Sequence, residues 1–249
     1  MSCVCPILGG IINNELSDSM WTFCCKEKRW TRGKPLIVAR AKHSSVVMHG
    51  MLYLSGGVRM DENQTVNPMT EIHSYNIKTG IWRRVGRSNT PKADGTLLGI
   101  DNILYELGGQ SDGGYTRTME TYTVTSDGLV TRTDEHYVLP CVGNPGPLRA
   151  ALHGKNQIII LWENTGDILC LNIDDGRCYP VDHTLKNLTG CLVAFNHQAY
   201  IMGGVGVGIG IDNAKSCTES RVVDFGVNSY KHISLPPGLV VQRCVRVTM

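Results

Sequence analysis

Short apolar runs separated by glycine-containing turns recur along the chain. Residues 43–57, HSSVVMHGMLYLSGG, hold two such runs, which meet at a His-Gly turn and end at Gly56-Gly57. Residues 71–82, EIHSYNIKTGIW, add a third run and, after a Lys-Thr-Gly turn, a fourth that carries Trp82. Short apolar runs punctuated by glycine are typical of β-hairpins. The pattern therefore predicts four short antiparallel strands in this part of the chain.

The same unit occurs five times with a period near fifty residues. Each copy is marked by one pair of equivalent positions: Phe23 and Trp30, Tyr75 and Trp82, Tyr122 and Leu129, Leu171 and Cys178, Val223 and Tyr230. A repeat of this length is typical of propellers, in which each repeat forms one four-stranded blade. The fourth copy has no glycine pair, and either Leu161-Trp162 or Trp162-Glu163 stands in its place.

The glycine pairs and the aromatic positions carry a family resemblance. Four pairs stand in register with the second set of fixed positions: Gly9-Gly10, Gly56-Gly57, Gly108-Gly109 and Gly203-Gly204. In the second copy the pair is followed by Tyr75 and Trp82, and the repeat resembles the kelch motif. The whole chain resembles the kelch domain of BTB-kelch (kelch-like) proteins. The resemblance implies an all-β fold, a kelch β-propeller of about five four-stranded blades, with six in the parent protein as the alternative.

The repeat boundaries predict how the blades follow one another. We expect blades at residues 40–86, 92–138, 148–182 and 188–236, and one shared blade formed by residues 1–32 with 239–249. In that shared blade Val240–Val247 would pair with Cys3–Leu8 and close the ring, which would hide two sheet edges and tie down both termini. Because residue 1 falls inside a blade, we expect the chain to be a segment of a longer protein.

The aromatic residues of the repeat are expected to be structural. We predict that Trp30 and Trp82 pack between neighbouring blades, and that Tyr53, Tyr105 and Tyr200, close before the glycine pairs, lie in the core. Buried aromatic rings contribute large apolar areas to packing.

Composition narrows the range of partners and compartments. The net charge of +2 gives no bias towards nucleic acid or membrane, and no apolar run approaches the length that spans a bilayer. No signal peptide is apparent. The ten cysteines show no CxxC pair and no metal-ligand spacing, so we interpret them as free thiols. Free thiols favour a reducing compartment, and we expect a cytoplasmic location, with cytoskeletal or nuclear association left open.

Among the classes of function considered, catalysis is the one that the sequence supports least. Some kelch-like propellers are copper oxidases, which need several His and Tyr ligands converging at the ring axis. The eight histidines are scattered, and no HExxH, GxSxG or phosphate-binding loop is present. We therefore expect no catalysis, no metal and no cofactor.

Two families of loops are the candidate binding surface. The first follows each glycine pair, and it offers Met60 and Tyr115 as apolar anchors. The second is the lead-in segment before each first strand. Counting back from the glycine pairs, Arg40 and Lys42 match Lys92 and Asp94, Thr189 matches Lys42, Arg149 lies near the same place, and Arg243 precedes the closing strand.

The resemblance gives these positions a role. In kelch proteins that recognise acidic peptides, arginines in the lead-in segments ring the mouth of a pocket, and an arginine fork suits carboxylates. The predicted partner-binding set is Arg40, Lys42, Lys92, Asp94, Arg149, Thr189, Arg243, Met60 and Tyr115. Ordinary solvated charge is the alternative for each charged residue.

The resemblance also implies a function. It suggests a protein-interaction domain, the substrate-recognition propeller of a BTB-kelch adaptor for a cullin-3 E3 ubiquitin ligase. The loop face would hold a protein or peptide substrate, and cullin-3 would be reached only through a BTB domain that this chain does not contain. The alternative is an actin-associated cytoskeletal kelch protein with a structural role. A viral mimic of a host adaptor is a further possibility.

Overall fold

The computed structural model describes residues 4–182 and six later strands, and every regular element in these residues is a β-strand. The chain divides into two compact units, which meet in sequence between Val138 and Leu139. Among the described residues, no helix is long and apolar enough to cross a membrane. The predicted pairing of Val240–Val247 with Cys3–Leu8 falls mostly outside the described residues, so ring closure stays a prediction.

The first unit holds sixteen strands within residues 4–138. They are β1 (Val4–Leu8), β2 (Ile11–Ile12), β3 (Glu15–Leu16), β4 (Met20–Cys24), β5 (Arg29–Arg32), β6 (Ser44–Met48), β7 (Met51–Ser55), β8 (Val58–Met60), β9 (Val66–Asn76), β10 (Ile81–Lys92), β11 (Thr96–Ile100), β12 (Ile103–Leu107), β13 (Gln110–Ser111), β14 (Gly114–Tyr115), β15 (Thr118–Val124) and β16 (Val130–Val138).

These strands form three antiparallel blades. The first blade is β1-β4-β5, the second is β6-β7-β9-β10 with β8 paired to β9, and the third is β11-β12-β15-β16. The short pairs β2-β3 and β13-β14 form hairpins in the loops after the glycine pairs. The four antiparallel strands predicted from the second copy are confirmed, and so is the all-β blade architecture.

Apolar side chains between successive blades form the core of the first unit. Between the first and second blades, the buried cluster is Met20, Leu36, Leu52, Leu54 and Tyr75. Between the second and third blades, it is Met48, Tyr53, Ile72, Val85, Leu97, Leu104, Tyr122 and Val130. Full burial of such a side chain contributes about 1.5–3 kcal/mol, so packing between blades is a major source of stability.

The second unit repeats the same architecture. Its strands are β17 (Leu148–His153), β18 (Gln157–Trp162), β19 (Ile168–Asn172), β20 (Cys178–Asp182), β21 (Cys191–Phe195), β22 (Gln198–Met202), β23 (Val205–Val207), β24 (Ala214–Ser216), β25 (Glu219–Asp224) and β26 (Ser229–Ser234). The fourth blade is β17-β18-β19-β20 and the fifth is β21-β22-β25-β26. Ile159, Leu161 and Cys170 of the fourth blade pack with Leu192 and Ala194 of the fifth.

The register of the fourth blade decides which residues replace its glycine pair. The Trp162 N–H donates to the Asp167 carbonyl oxygen at 3.0 Å, as the Gly108 N–H donates to Thr118 at 2.9 Å. The pair in this copy is therefore Trp162-Glu163. The Trp162 side chain is fully buried.

The aromatic predictions are confirmed in part. Tyr53 and Tyr105 are buried, and Tyr200 is half-buried. Trp82 lies against the cluster between the first two blades, 4.8 Å from Tyr75 between ring centroids. Trp30 differs, because it is 51% exposed and packs on Phe23 of its own blade.

Candidate partner-binding site at the loop edge of the first unit

The lead-in segments of neighbouring blades lie side by side. The Asp94 N–H donates to the Lys42 carbonyl oxygen at 2.7 Å. Both residues have positive φ, 54° at Lys42 and 59° at Asp94, in the left-handed region that side chains seldom adopt. Lys42 is exposed and Asp94 is half-buried. The predicted equivalence of these two positions thus corresponds to a direct backbone contact.

Each lead-in segment is also bonded to the loop after the glycine pair of its own blade. Ala41 forms an isolated β-bridge with Val58, and Ala93 forms one with Gln110. The two loop families therefore meet at one edge of the blades. We call this the loop edge of the first unit, made of residues 40–42, 58–69, 92–94 and 110–118.

The two apolar anchor candidates both lie at the loop edge. Met60 ends β8, is 45% exposed, and stands opposite the exposed Val66. Tyr115 lies in β14 opposite Gln110 and is half-buried. Met60 and Val66 together form an exposed apolar pair, whereas Tyr115 exposes only part of its surface. Contact of either side chain with a partner stays a prediction.

Arg40 lies inside the protein rather than at the mouth of a pocket. Its side chain is completely buried. Nη1 donates to the Gly56 carbonyl oxygen at 3.0 Å, and Nη2 lies 2.9 Å from His73 Nδ1. Burial lowers the pKa of Arg40 to about 10, an effect that the Glu71 carboxylate only partly offsets. The guanidinium therefore stays charged at neutral pH.

His73 accepts from this guanidinium and is neutral. Burial lowers the pKa of His73 to about 4, and the positive charges of Arg40 and Arg84 act in the same direction. A neutral imidazole can accept a hydrogen bond at Nδ1, which an imidazolium cannot. The arginine thus has a hydrogen-bond acceptor at this position but not a negative charge.

Lys92 is buried in the same way, but it meets carboxylates. Its Nζ lies 2.5 Å from Glu120 Oε1 and 3.9 Å from Glu106 Oε2. The Tyr122 hydroxyl donates to Glu120 Oε2 at 2.7 Å, and Ser55 Oγ donates to Glu106 Oε1 at 2.5 Å. Three ionisable groups and two hydroxyls thus form one buried polar cluster between the second and third blades.

Burial and neighbouring groups shift the pKa values of the two carboxyl groups of this cluster in opposite directions. Burial raises the pKa of Glu106, and Lys92 and the hydroxyl of Ser55 only partly offset this. Burial would also raise the pKa of Glu120, but the hydrogen bonds from Lys92 and Tyr122 outweigh it and the pKa is lowered. Glu120 is therefore the principal counterion of Lys92.

The surface position expected for Arg40 and Lys92 is therefore wrong. Each has an internal partner two residues before the tyrosine of the repeat, His73 before Tyr75 and Glu120 before that of the third blade. Lys92 has a carboxylate counterion in Glu120, whereas Arg40 has only a hydrogen-bond acceptor in His73. Whether these residues influence binding stays a prediction.

Three other candidates follow Val138 in the chain. Arg149 Nε lies 2.9 Å from Glu163 Oε1, with 18% of its side chain exposed, so it is already paired. In β17 Arg149 pairs with Leu161 of β18. This register places Arg149 two residues after the position that is equivalent to Lys42. Thr189 and Arg243 lie outside the described residues.

A set of arginines on the second blade was missed from the sequence. Arg59, Arg84 and Arg87 are exposed, and Glu71 among them is half-buried. Burial would raise the pKa of Glu71, but a backbone hydrogen bond and these three arginines lower it. The run RRVGR at 83–87 was the available signal. Only the strand register shows that Arg84 stands opposite His73 and Arg87 opposite Glu71.

The described part of the chain holds no candidate metal centre. No three His, Cys, Asp or Glu side chains converge there in a way that could hold an ion.

Comparisons with known proteins agree with this geometry. Residues 39–88, which contain the second blade, match the Kelch motif. The solved structure of YjhT superposes with a TM-score of 0.71 at 13% identity, covering 94% of this chain and 85% of that one. This likeness shows the fold.

Sequence relatives carry the same repeat. Kelch-like protein 36 of Bos taurus is 26% identical over 113 residues, 45% of this chain and 18% of that protein. Kelch repeat and BTB domain-containing protein 1 of Horsepox virus is 29% identical over 136 residues, 54% of this chain and 23% of that protein. Beta-scruin of Limulus polyphemus is 30% identical over 111 residues, 44% of this chain and 12% of that protein.

The chain contains a kelch repeat and resembles BTB-kelch proteins. Its matched part spans about a fifth of the length of the first two curated relatives named above.

Proposed function

We propose that this domain is the substrate-recognition propeller of a BTB-kelch adaptor for a cullin-3 E3 ubiquitin ligase. The loop edge would hold a protein or peptide substrate, and a BTB domain outside this chain would contact cullin-3. In this role the propeller presents the substrate to the ligase and catalyses no reaction itself. The observation that carries the proposal is the joining of both loop families, through Ala41–Val58 and Ala93–Gln110, into one edge on packed blades.

The loop edge has the mixed character that protein interfaces use. It exposes the charged Lys42 as well as the apolar pair Met60 and Val66. Buried apolar anchors surrounded by polar groups carry much of the energy of protein interfaces. Similarity to a relative named for both kelch repeat and BTB domain favours the adaptor role.

A reducing compartment fits this role, and we place the protein in the cytoplasm. Among the described residues, Cys24, Cys25, Cys170 and Cys178 are free thiols. Proteins of oxidising compartments more often pair their cysteines.

Affinity capture from cell lysate, with and without a proteasome inhibitor, tests the proposal. The test variant is Lys42→Glu with Met60→Ser, both exposed at the loop edge. The control is Lys78→Glu with Leu129→Ser, two exposed residues in the turns at the opposite ends of the strands. We expect the test variant alone to lose partners, and some of these to accumulate when the proteasome is inhibited. Identical partner sets for wild type and test variant would contradict the proposal.

A cytoskeletal role is the second candidate, favoured by the similarity to beta-scruin. Co-sedimentation of the purified chain with actin filaments tests it. Filament binding that survives the Lys42→Glu, Met60→Ser change would favour this role over substrate recognition at the loop edge.

A further inference from the structure

Two buried cations occupy equivalent places in successive blades, and the repeat allows them to be compared. Lys92 lies between the second and third blades, where Glu120 and Glu106 supply negative charge. Arg40 lies at the same position between the first and second blades. There the residue equivalent to Glu120 is His73, and the one equivalent to Glu106 is Leu54. Both carboxylates are therefore replaced by uncharged side chains.

The consequence is a buried guanidinium without a counterion. Within the part of the chain that the structure describes, Arg40 makes no ion pair, and its buried Nε has no hydrogen-bond partner. Its contacts are a carbonyl oxygen and a neutral imidazole. A buried charge without a paired charge is costly, and proteins usually neutralise it.

More positive charge surrounds this position on the surface. In the register of β9 and β10, Arg84 stands opposite His73 and Arg87 opposite Glu71, on the face of the sheet that carries Tyr75 and Trp82. Arg59 lies in β8, the strand that pairs with the first part of β9. We call Arg40, Arg59, Arg84 and Arg87 the arginine cluster. Glu71 is the carboxylate opposite Arg87, and Arg59, Arg87 and Arg84 lower its pKa.

We propose that the arginine cluster binds the phosphate group of a phosphorylated side chain in the partner protein. The inference rests on the proposed function, since it names a chemical group that the bound substrate would carry. Arginine forks make paired hydrogen bonds to phosphate oxygens, and Arg84, Arg87 and Arg59 are exposed to do so. The buried Arg40 adds charge beneath them.

Phosphate matches the cluster better than a carboxylate does. After Glu71 is counted, the cluster keeps an excess of three positive charges. A phosphorylated side chain carries about −1.5 to −2 charges at neutral pH and three acceptor oxygens, whereas an acidic side chain carries one charge. Several arginines converging on a small area are typical of sites that recognise phosphorylated residues.

The test is fluorescence anisotropy with three labelled peptides, Gly-Gly-X-Gly-Gly, in which X is phosphoserine, aspartate or serine. We expect the phosphoserine peptide to bind roughly tenfold more tightly than the aspartate peptide, because phosphate offers more charge and more acceptors. The serine peptide should not bind. Equal affinities for all three peptides would overturn the proposal.

Variants inside and outside the arginine cluster test whether the phosphopeptide binds there. Arg84→Gln with Arg87→Gln removes two exposed guanidinium groups and should abolish phosphopeptide binding. Arg83→Gln with Lys78→Gln removes the same charge from exposed positions, and Arg83 stands opposite Ser74 on the other face of the sheet, so binding should persist. Equal losses in both variants would show a general charge effect and would contradict the proposal.

A third variant tests the role of the missing counterion. His73→Glu supplies Arg40 with the carboxylate that Lys92 has in Glu120, and it should weaken phosphopeptide binding. Inorganic phosphate as a competitor should displace the peptide, and this identifies the phosphate group as the recognised part. If no peptide binds while the partner capture described above still depends on Lys42 and Met60, the phosphate inference fails and the proposed function stands.

Discussion

The main-chain N–H of Gly57 donates a 2.8 Å hydrogen bond to the carbonyl oxygen of Lys92. The N–H of Gly10 makes the same bond, also 2.8 Å, to the carbonyl oxygen of Arg40. In these two pairs the second glycine thus joins its blade to the lead-in segment of the next blade. The glycine pair is a joint between blades as well as a turn, and it positions the loop edge.

The first glycine of the pair is predicted to be intolerant of any side chain. A Cβ on Gly56 would lie 2.3 Å from the Lys92 carbonyl oxygen, and the residue has a φ of +62°. We expect Gly56→Ala to lower the free energy of unfolding by at least about 2 kcal/mol, from the clash and the left-handed backbone. Urea unfolding followed by tryptophan fluorescence measures it.

Gly113→Ala is the matched control for this change. No atom lies within 4 Å of a Cβ built at Gly113, so the substitution should be neutral or stabilise by about 0.4–1 kcal/mol. Equal effects of the two substitutions would show that contact with the next blade does not determine the requirement for glycine.

The buried Lys92 is predicted to be essential for stability of the first unit. In Lys92→Met the carboxylates of Glu106 and Glu120 would remain buried without their cation. Breaking a buried ion pair from one side costs about 3–5 kcal/mol, and we expect a loss of this size in urea unfolding. Glu120→Gln added to Lys92→Met should recover part of it, because one uncompensated charge is removed.

Lys78→Met is the control for the lysine substitution. Lys78 is exposed in the turn between β9 and β10, so its replacement should change the free energy of unfolding by less than about 0.5 kcal/mol. A loss at Lys92 no larger than the loss at Lys78 would mean that the ion pairs contribute little.

Trp162 is a core residue of the fourth blade, and its truncation is predicted to destabilise the protein. Its ring is fully buried, and Nε1 donates to the Pro140 carbonyl oxygen at 3.0 Å. Trp162→Ala should lower the free energy of unfolding by about 3–5 kcal/mol, as truncation of buried aromatic residues does. Thermal and urea unfolding measure this loss. Trp21→Ala, at a 41% exposed position, should lower the free energy of unfolding clearly less. Trp162→Gly, which restores the glycine of the other copies, should not rescue stability, because the cavity would remain.

The strands and the blade repeat could be predicted from the sequence because glycine turns and apolar alternation are local signals. The same register located Lys42 and Asp94 at neighbouring lead-in segments. Burial could not be predicted in this way. Arg40 and Lys42 look alike as basic residues of one segment, yet one is buried and the other exposed. The difference depends on partners from distant strands, such as His73, which the spacing of a single motif does not show.

The wrong prediction for Trp30, which is exposed, and the failure to identify the arginine cluster have the same origin. Whether Trp30 packs between blades depends on what lies beside its blade, and Arg84 joins the face of His73 through the register between β9 and β10. Comparing equivalent positions across copies would have paired His73 with Glu120 and raised the question of a missing carboxylate. The repeat itself therefore contained a signal that individual loops did not.

His73 is predicted to make the stability of the first unit depend on pH. Its pKa is about 4 in the folded protein and 6.5 in the unfolded reference, because of burial and of the nearby Arg40 and Arg84, with Glu71 acting in the opposite direction. Between these values the unfolded chain binds a proton that the folded protein does not. The folded state is therefore destabilised as the pH falls from about 6.5 towards 4, by at most about 1.4 kcal/mol per pH unit.

Urea unfolding between pH 7 and pH 4 measures this dependence, and His73→Gln should remove its share of the slope. Glutamine keeps a hydrogen-bond acceptor for Arg40 but cannot take up the proton. His49→Gln, at an exposed turn, serves as the control and should keep the slope of the wild type. The expected profile is thus a wild type and a control that weaken together below pH 6.5, and a His73→Gln variant that weakens less. Parallel profiles for all three proteins would exclude the His73 imidazole as the titrating group.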